Sequence, residues 1–287
     1  MIIARVEGGL GNQFFIYAAA RALALRRNKE LFLDVSNAGY EGSDPFKRRY
    51  RLDRFPIAAQ ILDAEKTKHF RRDSRSFYWR RKLSRILPAG FKPIIEEKKF
   101  FTESILSKNV GHRVYFVGYW QDERYFSDAV SHLSTELSPA RIGQVVHAEE
   151  QQAVSAENSI VLHVRRDAFP FKLSASYYRN AIEGLSSHSH DDQFVVFGDS
   201  FEWVKTHLNL PKNTVYMDRN FADSDLQDFY LMSRARRLVI ANSTFSWWAG
   251  WFARRNGARV VAPAEWGYSA KPSSSWEWVA NDRYVFD

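Results

Sequence analysis

From Ser159 onward the sequence repeats one pattern: a short apolar run, a polar turn, then a segment with helical spacing. The runs 159–164 (SIVLHV), 193–198 (QFVVFG), 214–217 (TVYM), 237–241 (RLVIA) and 258–262 (ARVVA) read as strands. Segments 176–185, 200–208, 224–234 and 245–255 read as helices between them. Strands rich in β-branched residues and apolar on both faces, each followed by a helix, predict a parallel sheet covered on both sides. The expected product is a doubly wound α/β domain. The N-terminal stretch predicts a second sheet of the same kind. A strand at 2–6 (IIARV), a glycine-rich turn at 7–13 (EGGLGNQ), an Ala-rich helix at 14–25 and a strand at 31–35 form a βαβ unit. A further strand is expected at 114–118 and a helix at 122–136, whereas 37–58 is polar and loop-like and 59–87 reads as an interrupted, basic, aromatic helical region. The looser stretch 138–144 marks the expected boundary, giving domains 1–143 and 144–287.

Composition narrows the function classes. No cysteine occurs, so disulfides and thiolate metal sites are excluded, and the chain is compatible with a reducing cytoplasm. The first residues run into a strand pattern without a charged-then-apolar leader, so no signal peptide is expected. No apolar run of about 18 residues predicts a membrane-spanning helix. The net charge of +8 is concentrated: Lys66 to Arg85 holds nine Lys/Arg and one acid, Asp73, and the remainder is near neutral. A nucleic-acid binder spreads its charge over a folded face, so no nucleic-acid partner is expected.

Three turns have the residue types for ligand chemistry. In 241–252 (ANSTFSWWAGWF), the small polar residues Asn242, Ser243 and Thr244 sit between a strand and a helix. They are good helix caps, and a helix N-terminus after a strand offers free N–H groups and a positive dipole end to a phosphate. The other reading of this stretch is a capped core helix with Trp247, Trp248 and Trp251 as packing. After the strand SIVLHV come Arg165, Arg166 and Asp167. Arginines at the carboxyl end of a parallel strand lie where open sheets bind ligands, and guanidinium grips phosphate bidentately. Adjacent strand residues point to opposite faces, so one arginine can meet a ligand while the other ties down structure. Asp228, on a helix leading into the strand before the Trp-rich turn, is a candidate acceptor for two N–H groups of a guanine base. The first turn, GGLGNQF, invites a dinucleotide reading, with Asp34 where a ribose-binding acid would sit; Phe14 stands where the third glycine belongs and argues against it.

Taken together these turns resemble the alpha-1,2-fucosyltransferases of glycosyltransferase family 11. The matching stretches are 8–24 (GGLGNQFFIYAAARALA), 118–126 (GYWQDERYF), HVRR at 163–166, 176–182 (SYYRNAI) and 228–252 (DFYLMSRARRLVIANSTFSWWAGWF). The resemblance implies a GT-B-like fold, two Rossmann-like domains facing a cleft, with GDP-fucose on the C-terminal domain and the acceptor on the N-terminal side. It implies Arg165 at the diphosphate, His163 by the nucleoside, and Asp228 on guanine. Ser243, Thr244 and Phe245 would contact phosphate and nucleotide, with Gly11 and Asn12 reaching toward the leaving phosphate. The implied activity is inverting transfer of L-fucose to the 2-hydroxyl of a galactose, with no metal and no cofactor beyond the co-substrate. The sequence departs from the family at one place: the acid expected five positions after His163 is Ala168, and Asp167 comes one position early. Asp167 is therefore a candidate base, and no other base is assigned. The alternatives at this stage are a transferase using another GDP-sugar, a Rossmann oxidoreductase and a non-catalytic glycan-binding protein. Acceptor identity and oligomeric state are not legible. The segment 66–85, with cations interleaved among Phe70, Phe77, Tyr78 and Trp79, carries a further expectation of a cytoplasmic enzyme in peripheral contact with an anionic membrane; its plain alternative is a solvated helical face.

Overall fold

A computed structural model of the chain describes residues 1–36, 38, 49–62, 75–88, 91–97, 101–107, 111–167, 171–186, 191–219, 221, 223–266 and 273–281. Lys66 to Ser74 of the basic segment and most of the loop at 37–48 lie outside the described residues. The chain divides into two units, Met1–Ser138 and Pro139–Asp287.

The first unit contains β1 (Ile2–Arg5), α1 (Leu10–Arg26), β2 (Leu31–Asp34), β3 (Gln60–Ile61), α2 (Arg75–Ile86), β4 (Ile94–Glu96), α3 (Ser104–Ser107), β5 (Val114–Val117) and α4 (Val130–Glu136). Its strands form a parallel sheet in the order β3-β2-β1-β5-β4. All four residues of β1 and of β5 are buried, as central parallel strands require. The glycine turn is shorter than the sequence suggests. Helix α1 begins at Leu10, so Gly11, Asn12 and Gln13 form its first turn. Gly8 makes the sharp entry at a φ of 80°, and a Cβ there would collide with the Asn12 side chain. Gln13 is buried and donates to the carbonyls of Gly8 and Arg49 while accepting the Arg51 N–H. Phe14 is buried edge-on against Phe55, with ring centres 4.8 Å apart. Asp34 is also buried, accepting the Tyr115 hydroxyl at 2.6 Å and the Ser36 N–H at 3.0 Å, so it is committed to structure rather than to a ribose.

One expected helix contracts, and another lies partly outside the described residues. Region 59–87 contains the edge strand β3 and only α2 as helix among its described residues. The helix expected at 122–136 becomes a 3-10 turn (Glu123–Tyr125), capped by the Asp122 carboxylate, followed by α4. Strand β4 has no counterpart in the sequence reading, because three residues are too few to show a period.

The second unit contains α5 (Ala148–Ser155), β6 (Ser159–Val164), α6 (Ala175–Leu185), β7 (Gln193–Gly198), α7 (Phe201–His207), β8 (Val215–Tyr216), α8 (Ser224–Ser233), β9 (Arg237–Val239), α9 (Thr244–Arg255), β10 (Arg259–Pro263) and β11 (Glu277–Val279). The sheet is parallel in the order β8-β7-β6-β9-β10-β11, which is the 3-2-1-4-5-6 order of dinucleotide-binding sheets. The α/β class and the two Rossmann-like units expected from the sequence are thus present. The division falls after Ser138, slightly before the expected 143. The stretch Pro139–Val145 is a 3-10 helix that belongs with α8: Gly143 lies so close to the Tyr230 ring that a Cβ would overlap it, and Tyr230 donates to Gln151 of α5.

The first unit is clamped by a part-buried ion pair. Glu136, at the end of α4, takes the Arg21 guanidinium in contacts of 2.7 and 3.0 Å and also accepts the Tyr17 hydroxyl. The Tyr17 oxygen in turn accepts the Ala58 N–H at 2.9 Å. Removing one partner of such a cluster leaves the other unsatisfied, at a cost of about 3 kcal/mol. We expect Glu136→Ala to lower unfolding stability by about that amount in urea titration, and Glu136→Gln by less; a loss under about 1 kcal/mol for the alanine variant would contradict this assignment.

Candidate active site

The strand order of the second unit's parallel sheet reverses between β6 and β9. Connections leave β6 toward β7 on one side and arrive at β9 from the other, so a crevice opens at the carboxyl ends of these two neighbours. The sequence places HVRRD at the end of β6 and ANSTF at the end of β9.

The two ends are joined by one polar contact. His163 is buried, and its Nδ1 is hydrogen-bonded to the Ser246 hydroxyl of α9. The same hydroxyl oxygen accepts the Ala241 N–H at 3.2 Å. Ser243 caps α9: its Oγ accepts the Ser246 N–H at 3.1 Å. The N–H groups of Thr244 and Phe245 have no partner among the described residues, which leaves the first turn of a twelve-residue helix available to an anion. The Phe245 ring lies 5.7 Å from the His163 ring and 5.7 Å from Phe229. Burial, followed by the charge of Arg165, pushes the His163 pKa down to about 3, so the imidazole is neutral at physiological pH. Trp247, Trp248 and Trp251 are buried behind this turn as packing.

The paired arginines divide their tasks, as opposite faces of a strand end require. Arg166 is buried; it donates to the Leu173 carbonyl at 2.6 Å and stacks 4.0 Å over Trp203. Arg165 is half-exposed, its Nε 3.7 Å from the Asp199 carboxylate. Asp199 also accepts the Arg166 N–H at 2.8 Å and the Ser200 hydroxyl at 3.0 Å. Burial works to raise its pKa, but the Arg166 N–H, the Arg165 charge and the Ser200 hydroxyl outweigh it and hold the carboxyl below its usual value. The sequence reading did not single out Asp199. The signal was present: a Gly-Asp-Ser turn directly after a parallel strand. Gly198 is at φ 141°, and a Cβ there would lie 1.8 Å from the Val164 carbonyl oxygen, so only glycine lets β7 close onto the end of β6.

Asp167 is exposed and accepts the Ser200 hydroxyl at 2.7 Å. With Asp199, Ser200, Trp203, Tyr216 and Asp218 it lines a cavity of about 360 Å³ at the carboxyl ends of β7 and β8.

Asp228 belongs to a different cluster. It lies 3.4 Å from Arg219, whose side chain is 7% exposed and held at 2.5 Å by Glu150. Burial raises the Asp228 pKa to about 7; Arg219 opposes this, but the like charges of Asp225 and Glu150 push the other way. Its neighbour Phe229 touches Phe245, yet no contact links Asp228 to Arg165 among the described residues. Gly11 and Asn12 lie in the first unit, where Gly11 is buried in α1 and Asn12 accepts the Gln121 side-chain N–H at 2.8 Å. Among the described residues no three His, Asp or Glu side chains gather as a metal ion would require, and no helix is long and apolar enough to cross a membrane.

The family model described as Glycosyl transferase family 11 matches residues 56–280. An alpha-1,2-colitosyltransferase of Escherichia coli is 30% identical over 284 residues, covering 93% of this chain and 92% of that protein. The O-antigen biosynthesis glycosyltransferase WbnK of Escherichia coli is 25% identical over 289 residues, covering 91% of this chain and 93% of that protein. Among solved structures, the fucosyltransferase NodZ from Bradyrhizobium is similar with a TM-score of 0.48 and 17% identity, over 86% of this chain and 90% of that one. A family match over most of the sequence, together with a relative 30% identical across nearly all of it, establishes that the chain belongs to glycosyl transferase family 11.

Proposed function

We propose that the chain is an inverting galactoside alpha-1,2-fucosyltransferase, which moves L-fucose from GDP-fucose to the 2-hydroxyl of a galactose in a surface polysaccharide or oligosaccharide. The observation that carries the proposal is the convergence of Arg165 and the Ser243-capped helix terminus at the β6–β9 reversal, tied by the His163–Ser246 bond. As the sugar–oxygen bond breaks, negative charge grows on the β-phosphate of GDP. A guanidinium and two helix N–H groups without partners among the described residues are the donors that such a charge calls for. The sugar passes through an oxocarbenium-like state, as in glycosidases.

In this reading Arg165 and the Thr244 and Phe245 N–H groups hold the diphosphate. His163 and the Phe245 ring flank the nucleoside, and Asp228 accepts guanine N–H groups. Gly11 and Asn12 serve the leaving phosphate, and Asp167 is the base for the acceptor hydroxyl. Charge neutralisation is assigned to arginine and helix terminus, so the proposal asks for no metal. The cysteine-free sequence suits a cytoplasmic location. A second reading has one observation in its favour: the 30% identical relative is named a colitosyltransferase, which supports a different deoxysugar on the same linkage.

Thermal-shift assays with GDP, GDP-fucose, UDP and NAD test the donor class. GDP and GDP-fucose are expected to raise Tm and the other two to leave it unchanged; stabilisation by NAD but not GDP would overturn the proposal. Transfer assays on a panel of galactosides with GDP-fucose and GDP-colitose then separate the two donor readings. Arg165→Ala is expected to lower kcat about a hundredfold or more, and near-normal turnover would mean that this arginine does not stabilise the leaving group.

The raised Asp228 pKa gives a test of base recognition. Accepting guanine N–H groups requires the ionised carboxylate, so below a pKa of about 7 each pH unit weakens binding about tenfold. Guanosine, which lacks titrating phosphates, should bind roughly tenfold more weakly at pH 6 than at pH 8 in calorimetry, and Asp228→Asn should abolish that dependence. Flat guanosine binding across this range in the unmodified chain would remove Asp228 from the base site.

A further inference from the structure

Helix α2 is turned the wrong way for a core helix. Its inward side is Phe77, edge-on to Tyr115 at 6.3 Å, and Ser84, which accepts the Ile94 N–H of β4 at 3.0 Å. These two, seven positions apart, are its only buried residues among those described. The large apolar side chains lie outside: Tyr78 is 62% exposed, Trp79 59%, Leu83 43% and Ile86 77%. Trp79, Leu83 and Ile86 fall at helical spacing on one stripe. Cations share that side: Arg75, Lys82 and Arg85 are exposed and pair with no acid among the described residues, and Lys82 lies 5.3 Å from the centre of the Trp79 ring. Arg81 is paired with Glu96 at 2.8 Å. Phe91, in the turn that follows, is 74% exposed.

We propose that the outer face of α2 is a docking surface for an anionic lipid bilayer. Indole and phenol rings with aliphatic neighbours enter the interface between headgroups and acyl chains, while lysine and arginine meet the anionic headgroups. The combination distinguishes a bilayer from the other occupants. A second copy of the chain would bring two strongly cationic helices together. A twelve-residue helix is about 18 Å long. Its face therefore falls short of the roughly 800 Å² per partner that a stable protein interface buries. An acidic protein would satisfy the cations but would not use four exposed apolar side chains on so short a helix. The inference concerns the first unit alone and stands or falls independently of the sugar nucleotide.

The test is flotation of the full chain with vesicles of equal parts phosphatidylglycerol and phosphatidylcholine, against vesicles of phosphatidylcholine alone. Binding is expected to the anionic vesicles at low salt, and to fall steeply as salt is raised. The double variant Lys82→Ala with Arg85→Ala should lower partitioning roughly thirtyfold, at about 1 kcal/mol per cation. Trp79→Ser with Ile86→Ser should lower it at least about tenfold. Because all four residues are exposed, both variants should keep the Tm and the turnover on a soluble galactoside. No binding of the unmodified chain to anionic vesicles, or binding unaltered in both variants, overturns the proposal. Self-association that the Trp79→Ser, Ile86→Ser variant abolishes, without vesicle binding, would assign the face to a second copy instead.

Discussion

The arrangement at the carboxyl edge of the second sheet depends on a neutral imidazole. His163 ends its strand against the first turn of α9 and is bonded there to Ser246. An imidazolium at that point would face the positive end of a helix dipole and an arginine two residues away, while being cut off from water. Burial and the Arg165 charge both act against the proton, which is why the ring stays neutral. Leaving either group without its partner in a dry setting would cost on the order of 1–3 kcal/mol. The bond therefore sets the angle at which α9 meets the sheet, and with it the direction of the Thr244 and Phe245 N–H groups.

Around that bond, positive charge is sorted by how it is paired. Arg166 is spent on structure, wedged between the Leu173 carbonyl and the Trp203 ring. Arg219 is locked between Glu150 and Asp228. Among the described residues Arg165 has only a loose, half-exposed contact with Asp199, a carboxylate already engaged by an N–H and a hydroxyl. Such a contact orients the guanidinium without neutralising it fully, and leaves its remaining donors for an anion. The corresponding edge of the first sheet is of another kind. There the Asn12 and Gln121 side chains bond each other, and Asp34 is sealed beneath Tyr115. Amides at a sheet edge suit hydroxyl-bearing ligands, whereas the sealed acid removes the carboxylate that a dinucleotide's ribose would need.

What could be read in the sequence follows from the range of the forces involved. Parallel strands buried on both faces must be apolar, and helices that cover them must be amphipathic, so β6, β7, β9, β10 and the helices between them appear as periodicity. The contrast between Arg165 and Arg166 was legible for a similar reason, since alternation along a strand is local geometry. Short edge strands such as β4 and β11 carry too few residues for a period to emerge. In the basic region the pair Gln60–Ile61 forms an edge strand where the pattern reads as helical, because two residues are too few to show a period of their own.

The sequence by itself determined the two α/β units, the position of the polar turns at strand ends, the concentration of charge in one segment and the membership of a glycosyltransferase family. Each of these is a property of neighbours along the chain or of motifs in a given order. Only the tertiary structure decided that β6 and β9 lie side by side, that Asp199 rather than Asp167 accompanies Arg165, that Asp228 shares a cation with Glu150, and that α2 turns its tryptophan outward. These depend on residues dozens of positions apart being brought within hydrogen-bonding distance, and on burial, which changes what a carboxyl group or an imidazole does with its proton.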